Sequence, residues 1–355
     1  MNQDVKTREL LIKHYRTYPN LQIQDIFKYL YQSTFGCEHL VSSEADAIEY
    51  IAKEYASLSE NNVGTLDSLD GEYSRIPLSY LKNGLSIDTF GKIFCASSKC
   101  EHGNNAELEN KLSVAKELIA EKALPFSSDE FERAVSEWKA NGYQAIHHSA
   151  VFRESYSPAY RVISNKFVKF LPLFSEIDKR LQVGDAVIAI EGGSASGKTT
   201  LGEMLRSIYD CTVLHMDDFF LRPEQRTKER YAEVGGNVDR ERFLEEVLIP
   251  LRKRQPIDYR RFNCSTFTID PALRIIPKKL TVIEGAYSMH PDLAPYYDFS
   301  IFLDIDGDLQ KKRIEKRNSP QMAERFYNEW IPLERIYFSQ MRVQERCDIS
   351  VTLCE

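Results

Sequence analysis

Two short stretches concentrate groups able to move a phosphate. The first, Gly192-Gly193-Ser194-Ala195-Ser196-Gly197-Lys198-Thr199, has the spacing G-x-x-x-x-G-K-[ST] and continues through Thr200 into a helical pattern. Its glycines let the backbone turn tightly and aim successive N–H groups at phosphate oxygens. Lys198 adds a cation for the β and γ phosphates, the Thr199 hydroxyl suits Mg²⁺, and the helix N-terminus adds its positive end. The second stretch, His215-Met216-Asp217-Asp218-Phe219-Phe220, sets two carboxylates side by side after an apolar run. Neighbouring side chains on extended backbone point to opposite faces, so the two aspartates divide their work. Asp217, directly after the strand, faces the crevice as the candidate proton acceptor and Mg²⁺ neighbour, and Asp218 supports the following loop.

A third acid, Glu284, ends the hydrophobic run LTVIE, where packing alone rarely places a carboxylate; it joins Thr199 and Asp217 as a candidate near Mg²⁺ and is also a candidate contact to the acceptor. The chain has no N-K-x-D where a guanine reader belongs, and DIDG at 304–307 comes late and without that partner. A GTPase is therefore disfavoured. A kinase acting on a small hydroxylated substrate needs, besides the phosphate cradle, an acceptor pocket and a group that takes the hydroxyl proton.

These residues require a scaffold, and the patterning supplies one. The runs AVIAIEGG, CTVLHMDD, LTVIEGAY, FSIFLDID and CDISVTL alternate with helical stretches. Continuous apolar strands followed by helices predict a doubly wound α/β domain of P-loop NTPase type, with a mainly parallel five-stranded sheet over 184–355. Residues 1–162 carry apolar positions at three- and four-residue spacing, as in LQIQDIFKYLYQSTF and SDEFERAVSEWKANG, and predict a mostly α-helical domain. A connecting helix is expected over 163–183, bent or broken by Pro172.

The ordered set GGSASGKTT, HMDDFF, NVDRERF, VIEGAYS and FLDIDGDLQKKRIEKR resembles the uridine kinase and phosphoribulokinase group of P-loop kinases over residues ~186–350. The resemblance implies ATP and Mg²⁺ as cofactors and Asp217 as catalytic base. It also implies Asp239, in NVDRERF, as the contact to acceptor ribose hydroxyls, although Asp239 equally suits a helix N-cap. Arg313 and Arg317, at i and i+4, fall in the segment that resembles the family's lid and would clamp phosphates; Arg325 is a weaker candidate. The family's base-reading tyrosine and histidine correspond to QPIDYRRFNCSTF, which has no histidine. Tyr259 or Phe262 is left to stack on a ring, and Arg260 or Arg261 to bond to it.

Composition narrows the remainder. With 43% hydrophobic and 28% charged residues, the chain has ample material for globular cores. Its net charge of −7 gives no footprint for wrapping nucleic acid. No apolar stretch reaches the roughly 20 residues of a membrane span, and MNQDVKTRELLIKHY lacks a signal-peptide apolar region. Seven scattered cysteines, Cys37, Cys95, Cys100, Cys211, Cys264, Cys347 and Cys354, read as reduced thiols in a cytoplasmic protein.

In the N-terminal half, Cys37-Glu38-His39 and Cys100-Glu101-His102 repeat a tripeptide, and with His147-His148 they offer zinc ligands, against which stands the missing C-x₂₋₄-C spacing. HHSAVFRESYSPAYRV with Arg75 reads either as a pocket for an anionic ligand or as a polar docking surface. The expected activity is ATP-dependent phosphoryl transfer to a hydroxyl of a nucleoside (uridine-like) or other ribosyl compound. The alternative is an ATP-binding regulatory or sensor protein whose kinase-like domain controls the N-terminal domain with little turnover. The partner is a small-molecule acceptor, with neither membrane nor nucleic acid, and a homo-oligomer is compatible with the sequence.

Overall fold

A computed structural model of the chain describes residues 3–37, 43–59, 64–69 and 71–353. The chain divides into two compact units, Met1–Ser175 and Glu176–Glu355.

The first unit is built on helices α1 (Gln3–Thr17), α2 (Ile23–Phe35), α3 (Glu44–Ala56), α4 (Ile87–Ser98), α5 (Asn105–Ala120), α6 (Ser128–Ala140) and α7 (Ala150–Tyr156). Their starts follow local chemistry. Ser43, Ser86, Asn104 and Ser149 each accept a hydrogen bond from a backbone N–H three residues on, capping α3, α4, α5 and α7. The unit also contains an antiparallel sheet, absent from the sequence expectation, in the order β1 (Asp67–Ser68), β2 (Tyr73–Pro77), β3 (Tyr160–Ser164). All five residues of β2 are buried, so YSRIP shows none of the polar–apolar alternation that betrays a strand.

The connecting helix is two helices, α8 (Asn165–Val168) and α9 (Leu171–Val183). Pro172 stands in the first turn of α9, where its missing N–H would have had no intrahelical partner.

The second unit holds a five-stranded parallel sheet of the five expected runs: β4 (Ala186–Gly192), β5 (Cys211–His215), β6 (Leu280–Glu284), β7 (Phe299–Ile305) and β8 (Ile349–Leu353). The order across the sheet is β8-β7-β4-β6-β5. Every residue of β4 and β6 is buried, the signature of strands covered on both faces. Leu214, Ile283, Phe243, Val247 and Tyr337 belong to the core that covers one face. The helix α10 (Lys198–Ile208) follows β4 and buries Leu201, Leu205 and Ile208. Among the described residues no helix is long and apolar enough to cross a membrane, and Cys37, Cys95, Cys100, Cys211, Cys264 and Cys347 are free thiols.

Buried histidines make the first unit acid-sensitive. Burial holds both His14 and His148 at about 4, below the usual 6.5. Burial pushes Asp25 up, but hydrogen bonds from His148, Gln22 and Ser149 prevail and hold it at about 2. Each group binds its proton more readily when unfolded, so stability is complete above pH 6.5 and is lost as pH falls through about 4 toward 2. Trp138 is buried in this unit, and the chain has two tryptophans. A Trp330→Phe variant therefore lets Trp138 fluorescence follow its melting, and Tm is expected to drop steadily between pH 6.5 and 4. A flat Tm over that window would contradict the assignment.

Candidate active site

The site forms where β4, β5 and β6 end together. Parallel pairing sets Glu284 opposite Ile190 of β4 and opposite His215 of β5. The next residues of the three strands therefore emerge on one edge, where ligands bind in such sheets.

From β4 the chain turns at Gly192, with φ +148, where an added Cβ would lie 2.4 Å from the Leu303 carbonyl oxygen. Gly197, with φ +95, opens α10, and Ala195 also takes a left-handed φ of +62. The loop so shaped is the phosphate cradle spelled by 192–199. Lys198 Nζ donates to the Gly192 and Gly193 carbonyls at 2.9 and 3.0 Å, which folds the lysine along the loop. The Thr199 hydroxyl donates to Glu284 Oε1 at 3.0 Å. His215 Nδ1 lies 2.5 Å from the same oxygen, and that bond raises the histidine pKa. Thr200 follows in the first turn of α10, exposed.

The two aspartates do not continue the strand, so its alternation does not separate them. After β5 a single 3-10 turn, Met216–Asp218, carries both. Asp217 stands open to solvent. Surrounding protein, then the Glu284 and Asp218 carboxylates, raise its pKa, while Lys198 and His215 oppose them. Asp218 is clamped: the Tyr259 hydroxyl donates to Oδ2 at 2.7 Å and Arg261 Nε lies 3.3 Å away.

Asp239 is 1% exposed and caps the helix Arg240–Phe243 through a hydrogen bond from Arg242 N to Oδ1. Its Oδ2 has no hydrogen-bond partner among the described residues, with Arg242 Nε at 3.4 Å and Arg222 Nε at 3.7 Å. The Asp239 N–H donates to the Phe219 carbonyl, and Val238 bridges Phe220, so Asp239 is tied beside the aspartate pair.

Of the lid arginines, Arg313 Nη1 donates to the Ala195 carbonyl at 3.1 Å, at the tip of the cradle. Arg317 instead lies over the Phe326 ring, and Arg325 pairs with Glu329. Ile314, Ala323 and Ile331 pack with Ala195, so the lid helices rest on the loop.

Tyr259 and Arg260 are not brought to an acceptor site. The Tyr259 ring is 2% exposed and meets Phe219, leaving no face for a substrate, and Arg260 is paired with Glu246. The exposed aromatic of this hairpin is Phe267; Arg226 lies 5.2 Å from its ring and 5.6 Å from that of Phe262.

Three contributors escaped the sequence reading. Glu334, from the helix Ile331–Gln340, accepts from Ser194 N at 2.8 Å and from the Ser194 hydroxyl at 2.7 Å. Gln310 donates to the Ser194 carbonyl at 2.8 Å. Glu191, fully buried just before the loop, accepts from Gly192 N and Met289 N, and burial pushes it up to about 7. No local motif marks Glu334 or Gln310, because both reach the loop from more than a hundred residues away. Glu191 was legible as a carboxylate inside an apolar strand.

In the first unit, among the described residues, no group of three or more His, Cys, Asp or Glu side chains is placed to hold a metal ion. His148 is bonded to Asp25, and the Cys37 and Cys100 thiols donate to the Phe94 and Ala96 carbonyls. Glu38 and His39, with Cys354, lie outside the described residues.

A five-stranded parallel sheet, a phosphate cradle between β4 and α10, and acids at the ends of β5 and β6 define a P-loop kinase fold. Residues 187–328 match the phosphoribulokinase/uridine kinase family. The chain is 27% identical over 143 residues to uridine kinase-like protein 3 of Arabidopsis thaliana, a match covering 38% of this chain and 30% of that protein. It is 26% identical over 147 residues to a phosphoribulokinase of Synechocystis sp., covering 39% and 42% respectively. The chain thus spans less than half the length of these curated relatives. A solved structure described as a possible uridine kinase from Bacillus stearothermophilus aligns with 50% of this chain and 98% of its own, at 21% identity and a TM-score of 0.37.

Because the buried Glu334 carboxylate receives two bonds from Ser194, its removal should loosen the cradle. Charge-assisted hydrogen bonds contribute about 1.5–3 kcal/mol, so Glu334→Ala is expected to raise the KM for ATP about tenfold or more. The effect on kcat should be smaller. Steady-state kinetics check this, and an unchanged KM would show that the contact does not organise the loop.

Proposed function

We propose that the chain transfers the γ-phosphate of ATP to a hydroxyl of a small molecule, and that the acceptor is a nucleoside or another ribosyl compound. The observation that carries this reading is the open Asp217 carboxylate, held beside the cradle while its neighbour Asp218 is clamped away. A sheet end that serves only to bind nucleotide has no need of that separation.

In this reading the cradle amides and Lys198 hold the β and γ phosphates, and Arg313, already on the loop, faces the charge that develops in transfer. The donors that meet here are oxygens: the Thr199 hydroxyl and Glu284 carboxylate at 3.0 Å, with Asp217 nearby. This set suits Mg²⁺, a hard cation usually held by one or two carboxylates together with phosphate and water. Thr199, Glu284 and Asp217 would hold it, and when bound it offsets phosphate charge. Asp217 takes the proton of the attacking hydroxyl, and the packed lid keeps water from competing.

The acceptor class rests on Asp239. A buried carboxylate oxygen with no hydrogen-bond partner among the described residues can accept from a hydroxyl, and a vicinal diol can reach a carboxylate with both of its groups. Phe267, with Arg226 behind it, offers an exposed ring for a base or sugar face.

Asp217→Asn is expected to lower kcat about 10²- to 10⁴-fold, the usual contribution of a general base, with the Kd for ATP little changed. For the parent enzyme, kcat/KM should fall on acidification, because protonated Asp217 accepts nothing. Its raised pKa puts that limb above the ordinary aspartate range. ADP release measured against a panel of nucleosides, ribosyl compounds and sugars tests the acceptor. Stimulation by a cis-diol compound, lost with its 2′-deoxy analogue and in Asp239→Asn, is expected. A panel in which no acceptor raises turnover above background would remove the kinase reading.

A further inference from the structure

The first unit contains a constellation that nothing in phosphoryl transfer uses. At its centre is Arg75 of β2, 3% exposed. Its Nε donates to Gln32 Oε1 at 2.9 Å and its Nη1 lies 3.5 Å from Asp67 Oδ2, a long contact. Its Nη2 is buried and has no hydrogen-bond partner among the described residues. The guanidinium is held between two rings, 5.2 Å from Tyr29 and 4.9 Å from Tyr160.

The surrounding groups leave that cation under-compensated. Asp25, the other buried carboxylate, is committed elsewhere: it receives Gln22 N, Ser149 N, the Ser149 hydroxyl and His148 Nδ1. His148, stacked on Phe152 at 4.1 Å, is left with Nε2 as an acceptor for the Tyr160 hydroxyl at 2.7 Å. Asp67 is shared, with His14 Nδ1 also 3.5 Å away. Both ring nitrogens of His14, a 2% exposed residue, lack hydrogen-bond partners among the described residues. A second cation, Lys28, is half-buried and feels Arg75, and burial lowers it to about 8.

A buried donor left unmade costs about 1–3 kcal/mol, more when charged, and native proteins seldom tolerate one without a use. Here an unmade donor on the Arg75 guanidinium coincides with a second cation, the half-buried Lys28, whose Nζ donates to the Ile146 carbonyl at 3.0 Å. An oxyanion set against Arg75 would satisfy Nη2 and relieve the repulsion toward Lys28. Tyrosines flank the cation: Tyr18 and Tyr160, with Lys28, are half-buried where Arg75 and Tyr29 are buried.

We propose that this cluster is a binding site for the phosphate or carboxylate group of a small molecule, with Arg75 as its fork, Lys28 as the second cation and tyrosine rings against the rest of the ligand. The site is independent of the kinase reading, because every group in it belongs to the first unit.

Isothermal titration of the full chain tests it, with the kinase half saturated by Mg²⁺ and a non-hydrolysable ATP analogue so that the cradle is filled. Inorganic phosphate, ribose 5-phosphate and succinate serve as probes and separate a free phosphate, a phosphate ester and a carboxylate. At least one should bind with one-to-one stoichiometry, and Arg75→Lys should weaken that binding at least about tenfold, since a lysine cannot reproduce the two-pronged contact. Lys28→Gln should weaken it severalfold, and the KM for ATP should be unchanged in both variants. If Arg75→Lys does not fold by circular dichroism, Lys28→Gln decides alone. The proposal is overturned if no probe binds at millimolar concentration, or if binding persists undiminished in the folded variants.

Discussion

The register of three parallel strands is the constraint on which the candidate site depends. Glu284 of β6 stands opposite Ile190 on one side and His215 on the other. This brings the cradle, the carboxylate of Glu284 and the aspartate pair to one edge without any contact having to search for its partner. A slip by one residue would turn Glu284 to the other face of the sheet, away from Thr199 and His215. All residues of β4 and β6 are enclosed on both faces, so a slip would also have to remake the packing on each side and draw Glu284 among apolar neighbours. Polar contacts then act on a frame already set: the Thr199 hydroxyl and His215 both converge on Glu284 Oε1.

What was legible in the sequence follows the same division. The five strands of the second unit were readable because a parallel sheet covered on both faces must be written as continuous apolar runs. For Asp217 and Asp218 the sequence implied alternation on an extended backbone, whereas the pair lies on a 3-10 turn and is set apart there by the partners of Asp218. Where three residues had to decide between inside and outside, the pattern gave no guidance. The strand Ile257–Tyr259 buries Ile257 and Tyr259 and exposes Asp258, so the tyrosine expected to meet a ring is packed inward on Phe219. Arg317 shows the limit of helical spacing: four residues from Arg313, it turns to Phe326 while Arg313 reaches the loop. Glu334 and Gln310 meet Ser194 only through the tertiary fold. In the first unit the helices were legible, but the small sheet was not, being short and wholly buried at its central strand.

The two units handle buried charge differently. In the second, Glu334 and Glu191 are enclosed but supplied with donors, and the bonds from Ser194 and from Gly192 N fix pieces of the cradle while Met289 N holds the other Glu191 oxygen. Such groups act by preorganisation, because a loop that must present several N–H groups at once gains from being held before the anion arrives. In the first unit Asp25 is saturated in the same way, whereas Arg75 and His14 retain unfilled valences. Satisfied networks rigidify a fold; unsatisfied ones store a demand for a partner.

Around Lys198 the balance of charge decides what the cradle can accept. Asp217 and Glu334 both feel Lys198, and both are raised, first by the protein that surrounds them and then by acidic neighbours. Glu284 adds a further carboxylate, opposed chiefly by His215 through the shared bond. Lys198 and Arg313 therefore stand against three acidic groups, and a bare polyphosphate would meet repulsion on the side of Asp217. A divalent cation carried on the nucleotide phosphates would remove that conflict by offsetting the charge of the acids and of the anionic oxygens. In the proposed reading, the acids at the strand ends would serve two ends at once: they would favour a metal-charged nucleotide over a free one, and Asp217, open to solvent, would take the acceptor's proton.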